Sequence, residues 1–459
     1  MKRNNGITLI ALVITIIVLL ILAGVAIAML SGENGILKKA AEAKTKTEQA
    51  QLDEQVKLAQ MEAVSNLNGI THTEKIASIG NKEVSVKIPS GFALSPREGE
   101  QKIETGMVII DTEGNEYVWI PVFEKDATNC TWGVGYSAVK STAENSDAYY
   151  TAIETALKTY TTTYKSSSYS DVWYGDANYG QYGYYNGEKF IYYTNGNMTE
   201  EEYKKLYRGM LKSVYKNGGF YIGRYEMGVA VANSTTEAQA KSRTSASKEY
   251  KASDDNSTNE EPTIEGMTLP ISKANAVPYN HITQSQAQML AEKLGEKSSY
   301  GSVTSSTMFG VQWDAVCVFI EHFDKNNTAT TKSDWLKSYT YGKLLGNYYN
   351  SSFKLDRGYY TTAYSSNPVT WKEDYKTKKG TSTEWLCTTG ASEQNKSLNI
   401  YDFWGNESEW TLERSSRADN PCVNRGFNFF NSGYASERTN IGTYRSTSTF
   451  SSRSTLYIK

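Results

Sequence analysis

The sequence predicts an α+β protein in which a long N-terminal helix, hydrophobic in its first half, precedes a domain of short strands and helices. Residues 7–30, ITLIALVITIIVLLILAGVAIAML, form an uncharged run of 24 residues. From about residue 80 onward, short alternating runs are separated by Gly and Asn, which is typical of strands and turns. The chain therefore divides into a helical stem and a larger C-terminal domain.

The N-terminal run is long enough to enter a membrane. At about 1.5 Å per residue it spans a hydrocarbon core of about 30 Å, and Lys2 and Arg3 predict a cytoplasmic N-terminus. Residues 37–67 continue as an amphipathic helix, whose apolar stripe consists of Leu52, Val56, Ala59, Ala63 and Leu67.

Three interpretations of this segment remain open: a cleaved secretory signal, a plain membrane anchor, and a prepilin. The basic leader MKRNNG followed by ITLIALV resembles the processing signature of type IV prepilins. That resemblance implies a leader of residues 1–6, cleavage between Gly6 and Ile7, and a pilin-like stem helix over residues 7–68. Ala11 stands where major pilins usually carry Glu, which favours a minor or tip pilin. The implied partners are other pilin subunits and, through residues 7–30, the membrane.

Composition disfavours several classes of function. Lys+Arg (48) and Asp+Glu (50) are nearly balanced, so no basic field predicts nucleic-acid binding. The four Cys form no CxxC and the three His form no close pair, which disfavours a transition-metal site. Four Cys allow three disulfide connectivities, or none.

Several stretches of the C-terminal domain predict individual elements. GMVIIDTEGNEYVWIPV (106–122) predicts a strand, a turn and a strand, and GGFYIGRYE (218–226) predicts another strand. NHITQSQAQMLAEKL predicts a helix that begins with a capping box of Thr283 and Gln286. MFGVQWDAVCVFIEHF predicts a second helix that buries Trp313, Val316, Cys317 and Ile320.

In this order, the blocks resemble the formylglycine-generating enzyme, or sulfatase-modifying-factor, family. The resemblance is carried by FYIGRYE, Pro278, FGVQWDAVCVFI, NIYDFWGNESEW (399–410) and the closing NRGF…R…LYIK. It implies a C-type lectin-like fold over residues 80–459, with insertions near 131–217, 233–262 and 321–385 that are interpreted as solvated surface loops.

The chain departs from that family at the catalytic cysteines, so we predict no enzyme and no catalytic residues. The family's enzymes use a closely spaced cysteine pair, whereas here only Cys422 lies near the C-terminus and Cys387 is far from it. The alternative is a membrane-anchored, extracytoplasmic modifying enzyme.

No cofactor is predicted. Calcium is a weak candidate at Asp402, Asn406 and Glu407, for which a solvated polar turn is the other interpretation.

Residues 427–452 combine aromatic rings with Ser, Thr and Asn, the chemistry of adaptable binding loops. The segment resembles the diversified C-terminus of variable proteins of diversity-generating retroelements, and an ordinary polar loop is the other interpretation. The predicted ligand-binding residues are Phe427, Asn428, Phe429, Phe430, Asn431, Tyr434, Ser436, Arg438, Asn440, Tyr444, Ser446 and Phe450.

Together these features predict an adhesin displayed on the cell surface, as a minor or tip pilin whose head binds an extracellular protein or glycan. A purely structural filament subunit is a third hypothesis.

Overall fold

A computed structural model describes most of the chain. The described residues are 13–23, 36–67, 73–79, 82–124, 133–135, 139–174, 183–185, 190–192, 198–230, 264–265, 267–364, 370–375, 377–417, 420–442 and 446–459. The chain divides into two compact units, Met1–Leu58 and Ala59–Lys459.

The first unit is helical wherever it is described. Helix α1 covers residues 13–23, and every side chain in it is exposed. Helix α2 (Ile36–Asn66) contributes its residues up to Leu58. Within the described residues, none of the helices has both the length and the apolar character needed to cross a membrane. Most of the predicted membrane segment, residues 7–30, lies outside the described residues, as do Gly6 and Ile7.

Within its described residues, the second unit contains the end of α2 and six further α-helices. Its described helices are α3 (Asp147–Tyr160), α4 (Glu200–Asn217), α5 (Gln284–Gly295), α6 (Gly310–Phe323), α7 (Asp334–Lys337) and α8 (Tyr339–Leu345). Of the predicted apolar stripe on α2, Ala59 and Ala63 are buried against Ala93 and Ile110.

The described strands are mostly short. They are β1 (Thr73–Ile79), β2 (Lys82–Ile88), β3 (Phe92–Leu94), β4 (Val108–Asp111), β5 (Glu116–Pro121), β6 (Phe123–Glu124), β7 (Val134–Gly135), β8 (Tyr169–Ser170), β9 (Gly183–Tyr185), β10 (Phe190–Tyr192), β11 (Gly219–Gly223), β12 (Gly228–Val229), β13 (Val277–Pro278), β14 (Val303–Thr307), β15 (Tyr360–Thr361), β16 (Leu386–Cys387), β17 (Lys396–Ser397), β18 (Ile400–Tyr401), β19 (Ser408–Ser415), β20 (Cys422–Arg425), β21 (Arg438–Ile441), β22 (Phe450–Ser452) and β23 (Ser454–Ile458).

Six of these strands form the main antiparallel sheet, in the order β14-β23-β11-β5-β4-β3. The C-terminal strand β23 lies inside this sheet, between β14 and β11. Tyr221 on β11 is opposite Trp119 on one side and Leu456 on the other, and all three side chains are buried. The end of the chain is therefore part of the core.

The two helices predicted from sequence begin and pack as their patterns indicate. In α5, Thr283 accepts from the Gln286 backbone and the Gln286 side chain accepts from Thr283, which is the predicted capping box. In α6, Trp313, Val316, Cys317 and Ile320 are buried, as predicted. Helices and antiparallel sheets together confirm the α+β class.

A second sheet of five strands carries the C-terminal segment. Its order is β21-β20-β19-β22, and β8 also pairs with β19. The β19–β22 pair is parallel, whereas β19–β20 and β20–β21 are antiparallel. Arg453 lies between β22 and β23, where its buried guanidinium donates to Glu409.

The interpretation of the insertions as solvated loops is wrong where they form helices. Within residues 131–217, α4 buries Tyr203, Tyr207, Met210, Leu211 and Val214. Within residues 321–385, α7 buries Trp335 and Leu336. Residues 233–262 lie outside the described part of the chain.

Candidate ligand-binding surface

The C-terminal segment contains a long loop between two paired strands. β20 and β21 are antiparallel, with Arg425 opposite Arg438. Residues 426–437 therefore leave and return at the same end of the five-stranded sheet. We call residues 426–437 the connecting loop.

Four charged side chains close the base of the connecting loop. Arg425 donates to Asp314 at 2.7 Å and to Glu413 at 3.2 Å. Arg438 donates to Asp314 at 2.7 Å and to Glu413 at 2.9 Å. We call these four side chains the ion tetrad. Its two positive and two negative charges balance in the interior, where such charges need partners.

The ion tetrad corrects the prediction that Arg438 contacts a ligand. The Arg438 side chain is only 8% exposed, and its guanidinium is occupied by the two carboxylates. Arg425 also donates to the backbone oxygens of Ser436 and Glu437, which fixes the return of the loop. Both arginines therefore stabilise the two ends of the connecting loop from inside the protein.

Three other predicted contact residues also face inward. Phe429 is fully buried in a cluster with Val277, Trp371 and Leu386. The side-chain amide of Asn428 donates to the Ser408 hydroxyl at 2.9 Å, and its Oδ1 accepts from the Phe430 backbone N–H at 3.0 Å. The Ser436 hydroxyl donates to the Leu336 carbonyl oxygen at 2.9 Å. Because these side chains are used inside the protein, Asn428, Phe429 and Ser436 are anchors of the loop and not ligand contacts.

The outer side of the connecting loop presents the remaining predicted residues. Phe430 is 47% exposed, Asn431 is exposed, and Phe427 and Tyr434 are half-buried. Phe427 has a φ of +59°, an uncommon conformation for an aromatic residue. A Cβ on Gly433 would lie 2.5 Å from the Phe427 Cβ, so only glycine fits where the loop folds back on itself.

Aromatic residues from the 321–385 insertion extend this surface. Tyr339 packs edge-to-face on Tyr434, with ring centroids 5.1 Å apart, and Tyr364 does the same on Phe430 at 6.4 Å. Tyr349 is 37% exposed, and its backbone N–H donates to the Asn431 carbonyl oxygen at 3.0 Å. We call Tyr339, Tyr349, Tyr364, Phe430 and Tyr434 the aromatic face.

Sequence reasoning missed the three tyrosines of the aromatic face that lie outside the C-terminal segment. Tyr339, Tyr349 and Tyr364 belong to an insertion that was interpreted as a solvated loop. Its richness in Tyr was the available signal, but no periodicity in the sequence relates these residues to Phe430 or Tyr434.

The other predicted residues lie on the strands that follow. Asn440 is half-buried on β21, opposite Val423. Phe450 is half-buried on β22 and packs edge-to-face on Trp410 at 5.0 Å. Ser446 is half-buried, and Tyr444 lies outside the described residues. Asn440, Ser446 and Phe450 are therefore not part of the connecting loop.

The turn that carries the calcium candidates is buried, so its interpretation as a solvated polar turn is wrong. Asp402 accepts from the Gly390 backbone at 2.6 Å, and burial raises the pKa of Asp402 to about 7. Asn406 donates to the buried carboxylate of Glu226. Glu407 accepts from Asn280 at 3.1 Å, and burial raises its pKa well above the usual value.

No His, Cys, Asp and Glu side chains in the described part of the chain form a group of three that could hold a metal ion. Calcium binding at Asp402, Asn406 and Glu407 stays a prediction.

The cysteine near the C-terminus is enclosed and protonated. The Cys422 sulfur lies 2.9 Å from the Tyr174 hydroxyl and 3.3 Å from Gln284. Burial raises the pKa of the Cys422 thiol to about 12, so little nucleophilic thiolate exists at neutral pH. Cys317 and Cys387 are also buried free thiols.

The chain was compared with protein families, curated proteins and solved structures. None of the three comparisons gives a match.

Proposed function

We propose that this chain is a surface-displayed binding protein whose head contacts an extracellular protein or glycan through the aromatic face. The proposal rests on one observation: aromatic rings of the aromatic face are exposed to solvent, although they pack in pairs and lie on a loop that buried contacts hold in place. Phe430 and Tyr339 are 47% and 49% exposed, although each has an aromatic partner. Large apolar groups held at the surface in this way favour recognition of another molecule.

The buried frame favours recognition because a pre-formed surface loses little entropy on binding. The Phe429 backbone donates to Asn406, and the Tyr348 hydroxyl donates to the Gly426 carbonyl oxygen at 2.8 Å. The ion tetrad fixes the ends of the connecting loop. These contacts hold the aromatic and polar side chains of residues 427–434 on a rigid support.

The proposed location rests on the N-terminal sequence. The uncharged residues 7–30 and the prepilin-like leader support membrane insertion and assembly as a minor or tip pilin. In α1, the apolar side chains from Val13 to Leu22 are 47–67% exposed, so they are available to lipid or to neighbouring subunits.

The proposal is tested with two variants of the full-length chain, Phe430→Ser and Tyr434→Ser. Wild type is screened on a glycan array and on fixed epithelial and bacterial cells. On any surface that wild type binds, we expect each variant to weaken binding at least tenfold, since central aromatic contacts typically contribute 2 kcal/mol or more.

Val172→Ser is the matched control, because Val172 is a 39% exposed apolar residue outside the connecting loop. It should bind like wild type. Unchanged binding by both loop variants would refute the aromatic face as the contact surface.

A further inference from the structure

We propose that the corner formed by Tyr339, Tyr434 and Glu437 binds the cationic side chain of a Lys or Arg from a protein partner. The inference rests on the proposed function and names the chemistry of the ligand. We call these three residues the cation corner.

The two rings of the cation corner stand almost at right angles. Their planes differ by 84° and their centroids are 5.1 Å apart. Tyr339 is 49% exposed and Tyr434 is half-buried, so the corner opens to solvent on the Tyr339 side. A ring face attracts a cation through its quadrupole, and the exposed ring of Tyr339 offers such a face beside Tyr434.

The third wall is a carboxylate that lacks a cationic partner within the described residues. One oxygen of Glu437 accepts from the Tyr339 hydroxyl at 3.3 Å. Hydrogen bonding from the Tyr339 hydroxyl and the Tyr434 backbone opposes the rise in the pKa of Glu437 that burial causes. The nearby guanidinium of Arg425 donates to the backbone oxygens of Glu437 and Ser436 and to the two carboxylates of the ion tetrad. A partly buried carboxylate without a cationic partner is costly, and a ligand cation at the oxygen that accepts from Tyr339 supplies that partner.

This acceptor favours a protonated amine or guanidinium over a quaternary ammonium. A quaternary ammonium can contact the rings but has no N–H to donate. A Lys or Arg side chain supplies both the charge and the donors. Because the Tyr339 hydroxyl makes only a long contact from a half-exposed side chain, an incoming N–H can displace it from Glu437.

Binding should depend on pH. Burial raises the pKa of Glu437 to about 7. The groups that face it are Tyr339, Tyr348 and Tyr434, whose own pKa values burial raises, and the more distant Arg425 and Arg438 of the ion tetrad. The carboxylate binds the cation and the protonated acid does not. Affinity should therefore be full at pH 8 and fall as the pH drops through about 7 to 6.

The test titrates the full-length chain, labelled at its tyrosine rings, with acetylated and amidated Gly-Lys-Gly and Gly-Arg-Gly peptides, and reads Kd from ring chemical shifts. We expect both peptides to bind at pH 8, and a Gly-Gln-Gly peptide to bind at least tenfold more weakly. Glu437→Gln should lose at least tenfold in affinity and all of the pH dependence. Tyr339→Phe, which keeps the ring and frees the carboxylate, should retain binding.

Glu384→Gln is the matched control, because Glu384 also accepts from a tyrosine of the aromatic face, Tyr364, at 2.5 Å. It should bind like wild type. Equal affinity of wild type and Glu437→Gln would overturn the inference, and so would equal binding of the Gln peptide. Tighter binding of a trimethyl-lysine peptide would overturn the requirement for an N–H donor.

The two proposals fail separately. If Phe430→Ser abolishes binding to the target surface while Glu437→Gln does not change it, the proposed function stands and the cation corner is refuted.

Discussion

Arg438 illustrates how burial decides the role of a residue in the C-terminal segment. Its position among aromatic and hydroxyl residues predicts a ligand contact, yet its guanidinium meets two carboxylates on α6 and β19. Sequence could not reveal this, because Asp314 and Glu413 lie far from Arg438 along the chain. Arg425, from the NRGF block that the sequence singles out, is fully buried in the ion tetrad.

We expect Arg438→Gln to lower the free energy of unfolding by about 3 kcal/mol, because it leaves the two buried carboxylates of the ion tetrad to share one arginine, Arg425. Urea unfolding of the full-length chain measures the change. Lys204→Gln is the control: Lys204 pairs with Glu200 at the surface, where both side chains are more than half exposed, and its loss should cost less than about 1 kcal/mol. If Arg438→Gln unfolds like wild type but loses target binding, then Arg438 is a ligand contact after all.

At the scale of elements, the sequence predicts those features that depend on residues close together in the chain, such as helix caps, the apolar spacing of a helix and tight turns. The capping box fixed the start of α5, and the apolar spacing of residues 310–323 identified the buried face of α6. The residues Glu113, Gly114 and Asn115 between two apolar runs predict the turn between β4 and β5, and Gly114 takes a φ of +84° there. Helix α8 was not predicted, since its seven residues are largely polar and aromatic, and it is positioned by the connecting loop.

The packing of α8 against the connecting loop depends on a close contact between Gly342 and Gly433. A Cβ on Gly342 would lie 2.1 Å from the Gly433 carbonyl oxygen. We expect Gly342→Ala to push the connecting loop away and to destabilise the protein by about 1–3 kcal/mol. Amide hydrogen exchange should show faster exchange in residues 426–437, and binding through the aromatic face should weaken.

Gly209→Ala is the control for that substitution. Gly209 also lies inside a helix, α4, but its Cβ would come no closer than 3.9 Å to the Tyr457 ring. Alanine favours a helix interior over glycine by about 0.5–1 kcal/mol, so this variant should be slightly stabilised. Gly342→Ala with a similar stabilisation would show that α8 does not pack against the loop as described.

For the whole molecule, the sequence predicts a stem up to residue 68 and a head from residue 80, and that division stays a prediction. The boundary between the two compact units falls within α2, after Leu58. The second unit buries its own apolar residues in a core that includes the last strand, β23. In the first unit, the apolar side chains of α1 are exposed. Such a surface favours the proposed contact with lipid or with partner subunits.

The mature N-terminus distinguishes the three interpretations of the N-terminal segment. If the leader is processed as in prepilins, N-terminal sequencing of protein recovered from cells should begin at Ile7. Gly6→Val should then leave residues 1–6 attached, because the prepilin resemblance implies a cut after the glycine, whereas Asn5→Ala should be cut normally. A start near Met29 would instead indicate a secretory signal, and an intact Met1 in the wild type would indicate an anchor. Either result would remove the pilin stem from the proposal while leaving the aromatic face to be judged by its own binding test.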